Sequence, residues 1–142
     1  MMFRQGTLED GLVILADLRK QQCRSLEKLN IDPQVLLREA LKGGPVVTVL
    51  INNRPAAMFG TISSTLLGLT KVWVITTPLV EREPIAFLRW SRRFLQDLYA
   101  KHGTLIGMVD VEFERSRRWL QWCGFRTFRD GEFIVMRYSG GH

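Results

Sequence analysis

The spacing of apolar residues changes several times along this chain, and these changes restrict the fold more than any other feature. Apolar side chains recur at helical intervals in residues 8–41, whereas residues 46–62 and 71–77 hold the β-branched runs that are typical of strands. Helical and strand patterns then alternate to residue 138, in the overall order β-α-α-β-β-β-α-β-α-β-β. Because helices interrupt the strands, the sequence predicts one α/β domain over residues 1–142, with a mixed, twisted sheet and helices on both faces.

Start and stop signals mark two helices in the first third of the chain. Thr7 and Asp10 have the spacing of a capping box, which predicts a helix start. Asp32 can cap a second helix because Pro33 is suited to its first turn, and Gly43 ends it. We expect the apolar residues of both helices to face the core, namely Leu12, Leu15, Leu18 and Leu26 in the first and Val35, Leu36, Leu37 and Leu41 in the second.

Turn residues separate the remaining elements. Asn52 and Asn53 favour a tight turn between strands at 46–50 and 55–62, and Pro78 ends the strand at 71–77. The later elements are predicted as a helix at 84–99 ended by Gly103, a strand at 104–111, a helix at 114–123 ended by Gly124, and a hairpin of 125–128 and 132–138 with its turn at 129–131.

Composition excludes several classes of protein. With 46% hydrophobic and 24% charged residues, the chain is too apolar for intrinsic disorder, and it lacks the run of about 20 apolar residues that a membrane span needs. The N-terminal residues do not resemble a secretory signal, so we expect a cytoplasmic protein. Cys23 and Cys123 are interpreted as buried thiols in a reducing compartment. Neither they nor His102 and His142 have the spacing of a metal site or of a catalytic pair.

The charge balance indicates a basic protein. Lys and Arg outnumber Asp and Glu by 20 to 14, which gives a net charge of +6. Such a surface can meet nucleic acid, phosphate-bearing cofactors or an acidic protein, or it can be an ordinary solvated helix face. Much of the excess lies in eight arginines of the second half: Arg89, Arg92, Arg93, Arg115, Arg117, Arg118, Arg126 and Arg129.

The order of elements, with the segment Ser-Arg-Arg-Trp-Leu-Gln-Trp-Cys-Gly-Phe at 116–125, resembles the GNAT fold of acetyl-CoA-dependent N-acyltransferases. A narrower resemblance rests on Trp-Val-Ile-Thr at 73–76, on Asn-Arg-Pro-Ala-Ala-Met-Phe-Gly at 53–60 and on the Arg-Asp-Gly-Glu-Phe hairpin. These residues resemble the GNAT-like internal virion protein A family of short-tailed bacteriophages. That resemblance implies a GNAT-type fold and a role in virion assembly and infection, in the host cytoplasm or the phage particle.

The resemblance also identifies where a cofactor would bind. GNAT enzymes hold the diphosphate of acetyl-CoA with backbone N–H groups of a glycine-rich loop, which corresponds here to residues 80–86. This segment contains no glycine, Pro84 has no N–H group, and two glutamates add negative charge that Arg82 and Arg89 only partly offset. If acetyl-CoA binds, the resemblance assigns the contacts to Val74, Thr76, Arg82 and Ala86.

The catalytic positions of the enzymes are also altered. The tyrosine that protonates the leaving thiolate corresponds to Leu120, which has no proton to give, and the adjacent Trp119 does not release its indole proton at neutral pH. The common asparagine corresponds to Phe113. Glu112 or Asp110 could serve as the general base or be a solvated carboxylate at a strand end. Tyr138 is the one remaining phenol near that end of the chain, or it is a sheet aromatic. We therefore expect no catalytic residue, no metal and no cofactor.

Three functions are compatible with these residues. The first is a catalytically degenerate GNAT-fold protein that contacts a phage or host protein through Trp and Arg side chains; Trp73 and Trp119 are expected in the core, and Trp90 and Trp122 at the surface. The alternative is an active acetyl-CoA-dependent N-acetyltransferase with an atypical cofactor loop. The third is non-specific contact with nucleic-acid phosphates through Arg89, Arg92 and Arg93.

Overall fold

The computed structural model of the chain describes residues 1–18, 27, 30, 32–64, 69–110, 114–130 and 133–138. Its strands are β1 (Met2–Gln5), β2 (Val46–Ile51), β3 (Arg54–Ser64), β4 (Leu69–Thr76), β5 (Leu105–Asp110), β6 (Arg126–Asp130) and β7 (Phe133–Tyr138). Its helices are α1 (Leu8–Leu15), α2 (Pro33–Lys42), α3 (Pro84–His102) and α4 (Glu114–Cys123), and a 3-10 turn spans Pro78–Arg82. Over the described residues the predicted order of elements is confirmed, but α1 ends at Leu15, so Leu18 lies beyond the helix that was predicted to contain it.

The strands form a mixed sheet in the order β1-β2-β3-β4-β5-β7-β6. The pairs β1–β2, β2–β3, β5–β7 and β6–β7 are antiparallel, whereas β4 and β5 are parallel, with Thr70 opposite Leu105. The predicted mixed sheet with helices is therefore confirmed. The chain divides into two compact units, one comprising Met1–Ile62 with Trp73–Pro84 and the other Ser63–Val72 with Ile85–His142.

Local signals in the first unit act as predicted. The Thr7 hydroxyl accepts a hydrogen bond from the Asp10 amide at 3.2 Å and begins α1. The Asp32 carboxylate accepts one from the Gln34 amide at 2.9 Å and begins α2. Asn52 and Asn53 have φ values of 54° and 60°, as a two-residue hairpin turn of type I′ requires. Each signal acts through neighbours in sequence, which is why it can be recognised without the structure.

The predicted apolar faces of α1 and α2 are partly wrong. Leu12, Val35 and Leu36 are exposed, and α1 instead buries Gly11 and Ile14 on the side that meets α2. A Cβ atom at Gly11 would lie 2.5 Å from Cδ2 of Leu37, so the glycine permits the two helices to approach closely. The core of this unit comprises Ile14, Leu37, Val46 and Met58, with Leu15, Leu18, Leu41, Trp73 and Ile75 packed against it. Leu26 lies outside the described residues.

The second unit has its own core. Its buried members are Leu95, Leu105, Leu120, Cys123 and Phe125, with Val72, Leu98, Tyr99 and Trp119 packed against them. Gly103 and Gly124 end α3 and α4 with φ values of 79° and 111°, conformations that favour glycine at a helix end. The final hairpin is confirmed, but β6 continues two residues further than predicted, because Arg129 and Asp130 pair with Ile134 and Phe133.

Within the part of the chain that the structure describes, no helix is sufficiently long and apolar to span a bilayer.

Candidate functional site

The segment that follows β4 includes residues 80–86, to which the resemblance assigns the cofactor loop of the GNAT enzymes, and we call residues 77–83 the β4–α3 turn. Thr77 fixes its start. The Thr77 amide donates to the Ala56 carbonyl on β3 at 2.8 Å, and the Thr77 hydroxyl donates to the same oxygen at 3.1 Å. Since Thr77 is 1% exposed, these bonds are shielded from water and hold the turn against β3.

Several backbone N–H groups of this turn form hydrogen bonds within the protein. The Leu79 amide donates to the Thr77 hydroxyl at 3.3 Å, and the Val80 amide donates to the Thr77 carbonyl at 3.3 Å. Pro78 and Pro84 have no N–H group. A diphosphate is normally held by several converging amides of such a loop. Within residues 80–86, the Val80 amide is already bonded and Pro84 has no N–H group, so two of the seven positions are unsuited to that role.

The side chains of the turn add negative charge beside these amides. Glu81 is exposed, and the Glu83 carboxylate lies 3.5 Å from the α-amino group of Met1, in an ion pair. Arg82, between them, is exposed and supplies one positive charge. Val80 is buried and fixes the middle of the turn. The Glu83 carboxylate is paired with Met1, so it is the Glu81 carboxylate, Pro84 and the absence of glycine that make residues 80–86 a poor fit for the diphosphate of acetyl-CoA.

The four residues assigned to acetyl-CoA lie on one strand–turn–helix segment. Val74 and Thr76 share a face of β4 because they are two residues apart; Val74 is partly exposed and Thr76 is buried. Arg82 and Ala86 are exposed, in the 3-10 turn and in the first turn of α3. Their role in holding the cofactor stays a prediction.

No strong proton donor lies at the positions that the resemblance assigns. Leu120 is buried in the second core, and the Trp119 ring stacks on Phe87 with centroids 6.1 Å apart. Burial raises the pKa of the Cys123 thiol to about 12, although the charge of Arg92 opposes the shift, so Cys123 is not a nucleophile at neutral pH. The prediction of a buried thiol is confirmed for Cys123.

Several of the remaining candidates have no described side chain. Asp110 and Tyr138 lie in β5 and β7, whereas Glu112, Phe113, Cys23 and His142 lie outside the described residues. His102 is the last residue of α3. Among the residues that the structure describes, no group of three His, Cys, Asp or Glu side chains is placed to hold a metal ion.

A buried carboxylate network in the first unit was not predicted. Asp10 is 4% exposed, accepts from Arg4 Nη2 at 2.6 Å and accepts from the Thr48 hydroxyl at 3.0 Å. Burial by itself raises the pKa of Asp10, but the hydrogen bonds from Arg4, Thr48 and Thr7 and the charge of Arg4 outweigh it and lower that pKa below its usual value. The network joins β1, α1 and β2, so its role is structural.

Tryptophan and arginine meet on α3 and α4 of the second unit. The Arg92 guanidinium lies over the Trp122 ring, 5.0 Å from its centroid, and Trp122 is 45% exposed. We call this pair with the exposed arginines Arg89, Arg93 and Arg118 the Arg92–Trp122 surface. The prediction of surface exposure is confirmed for Trp122.

The other three tryptophans are more enclosed. Trp73 and Trp119 pack against the two cores, as predicted. Trp90 is only partly exposed, because its ring stacks on Phe94, one helical turn later, with centroids 4.9 Å apart. The prediction that Trp90 forms an exposed anchor is therefore only partly correct.

Comparison with known proteins identifies the fold. No protein-family model and no curated protein match the sequence. The GNAT domain of PAT from S. lividans superposes with a TM-score of 0.70 at 9% identity, covering 96% of this chain and 89% of that one. A ribosomal-protein-alanine N-acetyltransferase from Brucella melitensis superposes with a TM-score of 0.67 at 13% identity, covering 98% and 99%. A mutant of spermidine N-acetyltransferase SpeG from Vibrio cholerae gives 0.66 at 12% identity, covering 98% and 95%. The chain has the GNAT acetyltransferase fold.

Proposed function

We propose that this chain is a bacteriophage protein that has kept the GNAT fold without acyl transfer, and that it acts in virion assembly or infection through contacts with a phage or host protein. The observation that carries the proposal is the β4–α3 turn. Its amides at Leu79 and Val80 donate to Thr77, Pro84 begins the following helix, and Glu81 and Glu83 flank Arg82. A diphosphate placed there would meet carboxylates and too few donors.

The altered catalytic positions support the same proposal. Leu120 stands where the enzymes have a proton-donating tyrosine, and it is buried among apolar side chains. Restoring acid catalysis would therefore need a proton donor from elsewhere in the chain. Without an acid at the assigned position and without enough amides for the diphosphate in residues 80–86, the fold is better suited to presenting a surface than to catalysis.

The phage assignment rests on the sequence resemblance to the internal virion protein A family. It places the protein in the host cytoplasm or in the particle, and it requires a protein partner. The Arg92–Trp122 surface supports that requirement, since tryptophan and arginine contribute strongly to protein interfaces.

An active N-acetyltransferase is the second candidate. It is favoured by the fold that the chain shares with the N-acetyltransferases from Brucella melitensis and Vibrio cholerae, and by the exposed Arg82, which lies in the turn itself. In that case Val74, Thr76, Arg82 and Ala86 would contact acetyl-CoA, which supplies the acyl group. The described residues offer no clear base or acid for the remaining chemistry.

Calorimetric titration with acetyl-CoA separates these two functions. We expect no saturable heat at millimolar ligand, while an active acetyl-CoA-dependent enzyme under the same conditions serves as the positive control. Micromolar binding that is lost in Arg82→Ala, but kept in the exposed control Arg38→Ala on α2, would overturn the proposal and favour the enzyme.

Contact with nucleic acid is the third candidate function. It is supported by the exposure of Arg89 and Arg93 on α3. Binding through phosphates alone would weaken steeply with added salt. The test is an electrophoretic mobility shift assay with DNA. If the shift is unchanged when Arg89, Arg92 and Arg93 are replaced by Ala, these arginines are not the contact.

A further inference from the structure

The Arg92–Trp122 surface combines an exposed aromatic ring with a cation that is already positioned on it. Arg92 is only partly exposed, and its guanidinium lies 5.0 Å from the centroid of the Trp122 ring. A cation in this position is attracted by the ring electrons, which restricts the rotamers of both side chains before any partner arrives. Less conformational entropy is then lost on binding.

The chemistry of this pair favours a carboxylate beside an apolar group. A guanidinium has five N–H donors in a planar fork, which matches the two oxygens of a carboxylate. The part of the Trp122 ring that stays exposed offers an apolar contact directly beside that fork. A ligand that satisfies both must therefore carry negative charge next to a hydrophobic side chain.

Charges around the pair extend the preference for an acidic ligand. On α3, Arg89 is exposed one turn before Arg92 and Arg93 is exposed directly after it, and Asp97 is the helix's single acidic residue against four lysines and arginines. On α4, Arg118 is exposed one turn before Trp122, so it lies on the same side of the helix. The three arginines of α3 thus make the surface complementary to more than one carboxylate.

We infer that the Arg92–Trp122 surface binds an acidic peptide segment of a partner protein, with a hydrophobic residue of that segment against Trp122 and its carboxylates on Arg92 and the neighbouring arginines. This inference rests on the proposed function, because it identifies the chemistry of the protein partner. A nucleic acid is the less favoured ligand, since Arg92 already covers part of the Trp122 ring on which a base would stack.

The test uses a fluorescein-labelled peptide that alternates Glu with Leu and Phe, the same peptide with Gln in place of Glu, and a single-stranded oligonucleotide of similar length. Binding to the full chain is followed by fluorescence anisotropy at low and physiological salt. We expect the Glu peptide to bind and the Gln peptide to bind at least about tenfold more weakly, because the arginines recognise charge.

Single variants connect this binding to the surface. We expect Arg92→Ala and Trp122→Ala each to weaken the Glu peptide about tenfold, and Arg92→Lys to weaken it severalfold because the planar fork is lost while the charge is kept. Arg38→Ala, which removes an exposed arginine from α2, should change the affinity less than about twofold. Circular dichroism and a urea midpoint equal to wild type establish that each variant is folded.

Three results overturn the inference: no binding of the Glu peptide, equal binding of the Gln peptide, or an affinity that Arg92→Ala and Trp122→Ala leave unchanged. Preferential binding of the oligonucleotide, lost in the same variants, also overturns it and assigns the surface to nucleic acid. The proposed function fails separately, through micromolar acetyl-CoA binding by the wild-type chain, so the two failures are distinguishable.

Discussion

The buried carboxylate of Asp10 provides a sharp test of how the first unit is stabilised. Its two oxygens accept from Arg4 at 2.6 Å and from Thr48 at 3.0 Å, and Thr48 is 0% exposed. Replacing Asp10 with Ala removes the acceptor of a fully buried hydroxyl, while the loss of the bond to the exposed Arg4 side chain is screened by solvent. We therefore expect the free energy of unfolding to fall by about 1–3 kcal/mol, mostly from the Thr48 side.

A double-mutant cycle with Thr48→Val isolates that contribution. If the Asp10–Thr48 bond stabilises the fold directly, the two substitutions should couple by about 1 kcal/mol. Urea unfolding followed by tryptophan fluorescence measures all four proteins. Additive effects of the two substitutions, or an Asp10→Ala midpoint equal to wild type, would show that the Asp10–Thr48 hydrogen bond does not stabilise the fold.

The pH dependence gives a second readout of the same carboxylate. The pKa of Asp10 is lowered in the folded chain, against an unfolded value of about 3.9. The unfolded state therefore binds the proton more readily, and the stabilisation is present above about pH 4 and lost as the pH falls through the folded pKa. The stability difference between wild type and Asp10→Asn should narrow as the pH is lowered from neutral towards 3, and a difference that widens would contradict this assignment.

Three further predictions concern single contacts. Gly60→Ala should destabilise the protein by about 1–3 kcal/mol in urea unfolding, because a Cβ atom there would overlap the rigid Trp73 indole. Peptide mapping after iodoacetamide treatment at pH 8 should find Cys123 almost unmodified in the folded protein and fully modified in urea, because its pKa is raised to about 12. Thr77→Val should cost about 0.5–2 kcal/mol in urea unfolding and speed hydrogen exchange at the Leu79 amide, which loses its acceptor; unchanged exchange would argue against this cap.

Much of the fold could be predicted because its signals are local. The caps at Thr7 and Asp32, the turn at Asn52 and Asn53 and the helix stop at Gly124 each depend on backbone groups a few residues away. Such contacts have the same geometry in any protein. The order of helices and strands can therefore be predicted from the sequence.

The faces of the short helices could not be predicted as reliably. In α1 the exposed Leu12 has the spacing of a core residue, whereas the helix in fact packs through Gly11 and Ile14. A glycine does not contribute to the hydrophobic pattern of a helix. Gly11 is needed because Leu37 of another helix packs directly against it, which the local sequence does not reveal. In α2 the buried residues are Leu37 and Ala40, whereas Val35 and Leu36 are exposed. A helix of ten residues has too few apolar positions for the pattern alone to determine which side faces the core.

Contacts between residues that are far apart in the sequence could not be predicted, for a different reason. Asp10 could be recognised as a cap partner of Thr7, but its bond to Thr48 joins positions 38 residues apart. The placement of Arg92 over Trp122 likewise depends on how α3 and α4 pack in the second unit. The altered cofactor turn, by contrast, could be identified from Pro84 and from the lack of glycine, because the requirement for backbone donors follows from general chemistry.

The central claim is that the β4–α3 turn does not hold a diphosphate. Phosphorus-31 NMR of coenzyme A tests this directly, because the resonances of its diphosphate broaden or shift when backbone amides bind it. With protein and coenzyme A at millimolar concentration, we expect the diphosphate resonances to be identical to those of the free cofactor. Broadened or shifted lines that return to the free position in Arg82→Ala would contradict it.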